Sequence, residues 1–180
     1  MTSFTPFILF SPTKNLILIP TPQAINSAAY RRMYAALHAS AEFTSMGFGT
    51  SWGTRQWSDQ ECKEHIQTRD VTRSWEKRGM GDFALGILPL SHLSASQEPE
   101  TLNILSGSQY TQFVGDEGSD AFLERITWIG YAGIRDATTT SMPVSERDFP
   151  HWLEMVEVRY GIHPDYWGKG YARRAAEAVM

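Results

Sequence analysis

Cysteine is nearly missing from this chain. Cys62 stands alone among 180 residues, which excludes an internal disulfide and any metal site built on a cysteine cluster. A single thiol within a helix reads as a small apolar residue and fits a reducing compartment. His38, His65, His92, His151 and His163 are scattered without the close spacing that metal ligation requires, so no metal is expected. Long hydrophobic runs are missing too. Phe7–Phe10 is flanked by Pro6 and Pro12 and follows no basic residue, so it is neither a signal-peptide core nor a membrane span. A cytoplasmic location with no membrane partner is the expectation. There is no basic surplus: 16 Lys and Arg face 20 Asp and Glu, for a net charge of -4. That balance counts against a general nucleic-acid binder and is compatible with a cationic acceptor. Internal repeats are absent. What is present is ordinary for a single globular domain spanning residues 1–180, with 42% hydrophobic and 20% charged residues.

The hydrophobic pattern gives an alternation of strands and helices. Leu16–Ile19 reads as a first strand stopped by Pro20 and Pro22. Ile25, Ala29, Met33 and Leu37 recur every four residues, one face of an amphipathic helix with Asn26, Arg31 and Arg32 elsewhere on the wheel. Ser45–Trp57, rich in glycine, aromatics and hydroxyls, reads as a loop. Ser58-Asp59-Gln60-Glu61 is a capping-box pattern that starts a second helix near Asp59. Its apolar face is Cys62, Ile66, Val71 and Trp75, and Lys77-Arg78-Gly79 ends it. Asp82–Leu88 reads as a strand. Residues 89–120, polar and without periodicity apart from Leu102, Ile104 and Leu105, read as a hairpin-like insertion with local strands. Arg125–Arg135 is a strand rich in β-branched and aromatic residues, Asp136–Pro150 a polar turn region, and Trp152–Ile162 a further strand. Alternation in that last strand puts Glu157, Arg159 and Gly161 on one face and Val156, Val158, Tyr160 and Ile162 on the other.

The segment that follows carries the chemistry: His163-Pro164-Asp165-Tyr166-Trp167-Gly168-Lys169-Gly170-Tyr171-Ala172, then an alanine-rich helix to Met180. Gly168 and Gly170 permit a tight turn and a close backbone approach to a ligand. The helix behind them begins with unsatisfied N–H groups and the positive end of its dipole. Strand, glycine turn and helix start together make a pyrophosphate cradle. On the glycines alone, a plain strand-to-helix turn is the better reading. His163, before a proline at a strand end, reads as a turn residue.

The string YGIHPDYWGKGYARRAAEA resembles the signature of the GNAT superfamily of N-acetyltransferases, in particular its ribosomal-protein N-terminal acetyltransferase-like branch. Gly170 and Ala172 fill the last places of the superfamily pattern Gln/Arg-x-x-Gly-x-Gly/Ala, and Trp167 stands where that pattern has Gln or Arg. Arg174 occupies a place that is often acidic in the branch. The Gly79–Ala84 strand entry and the Ile129–Gly133 strand fall in the family's order.

The resemblance implies an α/β (α+β) fold: a mixed, mostly antiparallel sheet flanked by helices, with acetyl-CoA as cosubstrate and a primary amine, on a protein N-terminus or a small molecule, as acceptor. It implies that the backbone of Tyr160, Gly161 and Ile162 pairs with the pantetheine arm. It further implies that the amides of Gly168, Lys169, Gly170, Tyr171, Ala172 and Arg173 hold the pyrophosphate, and that an N–H near Tyr160 or Gly161 polarises the thioester carbonyl. Glu157, where the branch often has an acidic residue, is then the candidate general base, with Glu154 second. The Ser45–Trp57 loop, with Trp52 and Trp57, lies where the family binds acceptors. In the family further strands follow the helix in which this chain stops. The expectation is therefore either a shortened enzyme or a fold completed by another chain, such as a homodimer formed through the exposed sheet edge. A non-catalytic coenzyme-binding module is the alternative.

Overall fold

The apolar runs on either side of Pro12 pair with each other. Phe7–Ser11 (β1) and Leu16–Pro20 (β2) form an antiparallel hairpin with Leu9 opposite Leu18. It is turned by Asn15 at φ 50°, a left-handed conformation that a short amide side chain tolerates. The computed structural model describes residues 4–89, 102–116, 118–137 and 154–180. Its remaining strands are Asp82–Ile87 (β3), Asn103–Ser106 (β4), Thr127–Asp136 (β5) and Val156–Ile162 (β6). They form a 6-stranded sheet in the order β4-β1-β2-β3-β5-β6. Every described pairing is antiparallel.

Helices cover both faces of this sheet. Thr21–Ala24 (α1) is a single turn, and Ser27 then caps Ala28–Ala39 (α2) by accepting from the Tyr30 N–H. Ser40 caps Ala41–Phe48 (α3). The capping box at Ser58 is formed in full, with Ser58 and Glu61 bonding reciprocally, and opens Asp59–Ile66 (α4). That helix runs on through a π-helical stretch, Gln67–Trp75, into Glu76–Arg78 (α5), and Gly79 ends it at φ 67°. Gly107–Val114 (α6), Gly118–Glu124 (α7) and Tyr171–Val179 (α8) complete the set. One core, with Ile8, Ile17, Ile19, Tyr30, Leu37 and Tyr131, lies between the sheet and the α2–α4 layer. The other, with Leu16, Leu18, Leu85, Ile129, Ile162 and Ala175, lies under α8. Each fully buried apolar side chain of this size contributes roughly 1.5–3 kcal/mol. No helix of the described residues is long and apolar enough to cross a membrane.

Several sequence expectations change. Phe7–Phe10 belongs to a strand, so Leu16–Ile19 lies in the second strand of the sheet. Helix α2 buries Tyr30, Arg31, Tyr34, Leu37 and His38, and Ile25 lies before its start. The rings outcompete the simple four-residue spacing because they carry more area into the core. Arg31 is buried because its guanidinium donates to the Ile25 carbonyl at 2.7 Å and grips Asp59 at 2.7 and 2.8 Å. The first residues of the supposed Ser45–Trp57 loop are helical, since α3 reaches Phe48. Within 89–120, β4 adds to β1 at the sheet edge and two helices follow. The polar texture there reflects an edge strand and exposed helices instead of a hairpin. Residues 90–101, 138–153 (with His92 and His151) and 117 lie outside the described residues. Cys62 is buried against the Arg31 carbonyl, and burial pushes its thiol up to about 11, which leaves it inert.

Strand β5 carries a bulge. Leu85 faces Gly130 and Gly86 faces Trp128, leaving Ile129 as the extra residue. Next to it the backbones of β5 and β6 come unusually close: a Cβ on Gly130 would stand 2.0 Å from the Gly161 carbonyl oxygen. Gly130→Ala therefore forces the two strands apart. The expected loss is about 3 kcal/mol, read as a lower denaturant midpoint, and an unchanged midpoint would show that the approach is not constrained.

Candidate functional site

Strand β6 is the edge of the described sheet, and its ladder parity decides which backbone groups face outward. Ala137 N–H donates to the Met155 carbonyl at 3.0 Å, and His163 N–H donates to that of Ile129 at 2.8 Å. Antiparallel ladders alternate, so the odd-numbered residues of β6 turn their N–H and C=O toward β5. Val156, Val158, Tyr160 and Ile162 turn theirs to the free edge. Gly161 therefore directs its own amide inward; what it contributes is room, because a Cβ there would meet Phe43 and Tyr131 at 2.8 Å. The face alternation read from the sequence is kept, but its sense is unusual. Val156 and Tyr160 are 58% and 55% exposed, while Glu157 and Arg159 point toward the α2–α3 side and line the cleft there.

Beyond β6 the chain makes a single 3-10 turn, Pro164–Tyr166. His163 caps it with Nδ1 accepting from the Asp165 N–H at 3.4 Å, the turn role expected for it. The Trp167 indole N–H donates to the Ile162 carbonyl at 2.7 Å and so ties the loop to the strand end. Gly168 and Gly170 sit at φ 71° and 79°, and nothing lies within 4 Å of where a Cβ would stand on either. Helix α8 then starts with Gly170 as N-cap and no side-chain cap. The first bond back to the cap is made by Arg174 N–H to the Gly170 carbonyl, at 3.1 Å, so the amides of Gly170 through Arg173 are the unsatisfied donors of a helix start. The open glycine positions and the uncapped helix fit a bound phosphate group. Arg174 anchors the helix: its Nε donates to buried Ser11 Oγ at 2.8 Å, which gives this basic residue a structural task.

These parts border one cleft of about 1420 Å³. Of the sequence-predicted residues, Glu157, Tyr160, Gly161, Ile162, Gly168, Gly170, Tyr171, Ala172 and Arg173 line it. Lys169 is not among the lining residues; its Nζ donates to the Asp165 carbonyl at 2.8 Å and sits over the Tyr166 ring. Glu154 is exposed and does not line the cleft. Arg173 pairs with Glu177 on the outside of α8. Glu157 is ion-paired with Arg135, directly across on β5, at 2.5 Å. Phe43, Met46, Phe48 and Trp52 form the wall opposite β6. Trp57, behind that wall, stacks on His65, whereas Trp75 packs with Phe7 and Phe83 on the other side of the sheet.

Two features of the site escaped the sequence. The first is a buried charge cluster beneath Arg159. That guanidinium lies 4.6 Å over the Tyr131 ring and 3.5 Å from Asp82, and Asp82 in turn donates its backbone N–H to Asp70 at 2.9 Å. Burial, then the neighbouring Asp82 charge, lifts Asp70 to about 7. Asp70 sits in the π-helical stretch, whose wider turn no periodicity reveals. The second is His38, buried among Tyr34, Phe43, Phe48, Trp57 and Tyr131 with no hydrogen-bond partner for Nε2. Burial, followed by Arg159, His65 and Arg55, pushes it down to about 3.

A sheet edge with outward amides meets an uncapped helix start at this one cleft. The family model described as Acetyltransferase (GNAT) domain matches residues 23–180, and the chain belongs to that family. No curated protein matches the chain.

Asp70 has a raised pKa in the fold, so the folded state binds its proton more tightly than the unfolded chain does. Its effect is a loss of stability as pH rises from about 4 to about 7. His38, with a depressed pKa, acts in the opposite sense, gaining stability as pH rises from about 3 to its ordinary value. Comparison with Asp70→Asn isolates the first term. The variant should gain on the native chain between pH 5 and pH 8 in thermal unfolding, and a pH-independent difference would show that Asp70 does not titrate there.

Proposed function

We propose that the chain transfers an acetyl group from acetyl-CoA to a primary amine. The observation that carries this is the convergence in one cleft of an open glycine turn, an uncapped helix start and a strand edge with outward amides. The amides of Gly168 through Arg173 suit a pyrophosphate. The outward N–H and C=O groups of Val158 and Tyr160 suit an amide-bearing arm laid along β6, and the Tyr160 or Ile162 N–H is a donor for an oxygen that gains charge during attack. The amine nitrogen bonds to the thioester carbon, the carbon–sulfur bond breaks with its electron pair leaving on the coenzyme thiolate, which takes up a proton from water, and the proton lost by the amine must leave through the cleft. Support for the ribosomal-protein N-terminal acetyltransferase-like branch remains the Tyr166–Ala172 string.

Glu157 is the candidate acceptor for that proton, on the acceptor side of β6. Its pairing with Arg135 engages the carboxylate, which favours an amine that is easily deprotonated. At roughly 1.36 kcal/mol per unit, holding a lysine-type amine of pKa about 10.4 neutral at pH 7 costs about 4–5 kcal/mol, against about 1 for an α-amine near 7.8. The same pairing favours a second reading, coenzyme binding without turnover.

Calorimetric titration with acetyl-CoA, beside Gly170→Asp, tests the cradle. Loss of binding in the variant is expected, because a carboxylate is placed where phosphate belongs and a side chain is forced to φ 79°. No binding to the folded native chain would refute the coenzyme reading. Glu157→Gln should lower kcat about 100-fold, within the usual range for a general base, and leave coenzyme affinity unchanged. Unchanged turnover at every pH would remove Glu157 from the proton path. Binding without turnover for any amine would select the second reading.

A further inference from the structure

The acceptor side of the cleft has a composition that narrows the amine. Met46, Phe48 and Trp52 are 73%, 41% and 49% exposed, and Phe48 and Trp52 stack with centroids 5.2 Å apart. These are large apolar groups left open around a cavity. The charged residues lining the cleft, among those described, are Arg135, Arg159 and Arg173 against Glu157 alone. Glu157 is already engaged by Arg135, and Arg55 lies 5.5 Å over the Trp52 ring, where a cationic ligand would otherwise stack. Arg159 and Arg173 are held in the same way by Asp82 and Glu177, so the described lining offers a cationic ligand no carboxylate that is not already engaged.

We propose that the acceptor is a weakly basic primary amine on a small planar aromatic body, seated against Phe48 and Trp52. This rests on the acetyl-transfer reading above and sets lysine side chains and polyamines aside. A fixed cation bound here would lose water with no described carboxylate left to pair with it. An amine conjugated to a ring is neutral already and meets no such cost. Its ring gains the stacking that the exposed Phe48 and Trp52 offer.

The test is a steady-state assay of the full chain with acetyl-CoA and three probes: 4-methylaniline, 2-phenylethylamine and spermidine, with the amide product read by mass spectrometry. Acetyl-CoA affinity is measured in parallel by calorimetry. The expected order of kcat/KM is 4-methylaniline, then phenylethylamine, then spermidine, with about 10-fold or more between first and last. Trp52→Ala and Phe48→Ala should each raise KM for 4-methylaniline about 3- to 10-fold while acetyl-CoA affinity holds. Spermidine used as well as the ring amine, or an unchanged KM in both variants, overturns the acceptor assignment alone. Failure to bind acetyl-CoA overturns the acetyl-transfer reading, and this assignment falls with it.

Discussion

The close pairing of β6 on β5, where Gly130 meets the Gly161 carbonyl, is the constraint on which the cleft depends. It fixes a register in which alternate residues of β6 direct their amides to the open edge. The same register sets Glu157 opposite Arg135 and lays Arg159 over Tyr131. A slip by one residue would exchange the two faces of the strand. Arg159 and Glu157 would then stand in place of Val158 and Tyr160, and the inward charges would lose Asp82 and Arg135. Two glycines, in adjacent strands, thus hold the electrostatic layout of the site.

The cradle is secured by side chains on the periphery of the turn as well as by its glycines. Trp167 fastens the turn to Ile162, His163 caps the preceding 3-10 turn, and Arg174 fixes α8 to Ser11 at the end of β1. The residues that give the loop its shape therefore differ from those whose amides face the cleft. That division explains why the indole of Trp167 can stand where the superfamily signature has Gln or Arg. The position contributes a structural bond from the indole N–H to the Ile162 carbonyl.

Charge at the cleft is arranged in pairs. Arg135 is matched by Glu157, Arg159 by Asp82 and Arg173 by Glu177. Asp82 and Asp70 sit beneath Arg159, so the cation is supported from the core side and presented to the cavity. Burial keeps Asp70 near neutral pH in its titration and His38 unprotonated. Both effects come from packing against the π-helical stretch and the aromatic wall.

Local order was legible in the sequence wherever a short-range rule determines it. The capping box at Ser58, the Gly79 helix end, the strands around Leu85 and Tyr131, and the glycine turn with its helix all follow from propensity, capping and backbone freedom within a few residues. The mostly antiparallel sheet was expected from the family resemblance of the Tyr160–Ala178 string, not from a short-range rule. What tertiary structure alone decided depends on partners far along the chain. Phe7–Phe10 became a strand because β2 and β4 flank it, Arg31 was buried because Asp59 and two carbonyls receive it, and Glu157 was neutralised by Arg135, which lies 22 positions earlier. The Asp70–Asp82–Arg159 cluster and the unpartnered His38 likewise arise where separate elements meet. Sequence spacing encodes which face a residue takes on its own helix or strand; the charge and ring that will stand opposite are fixed only when the sheet closes.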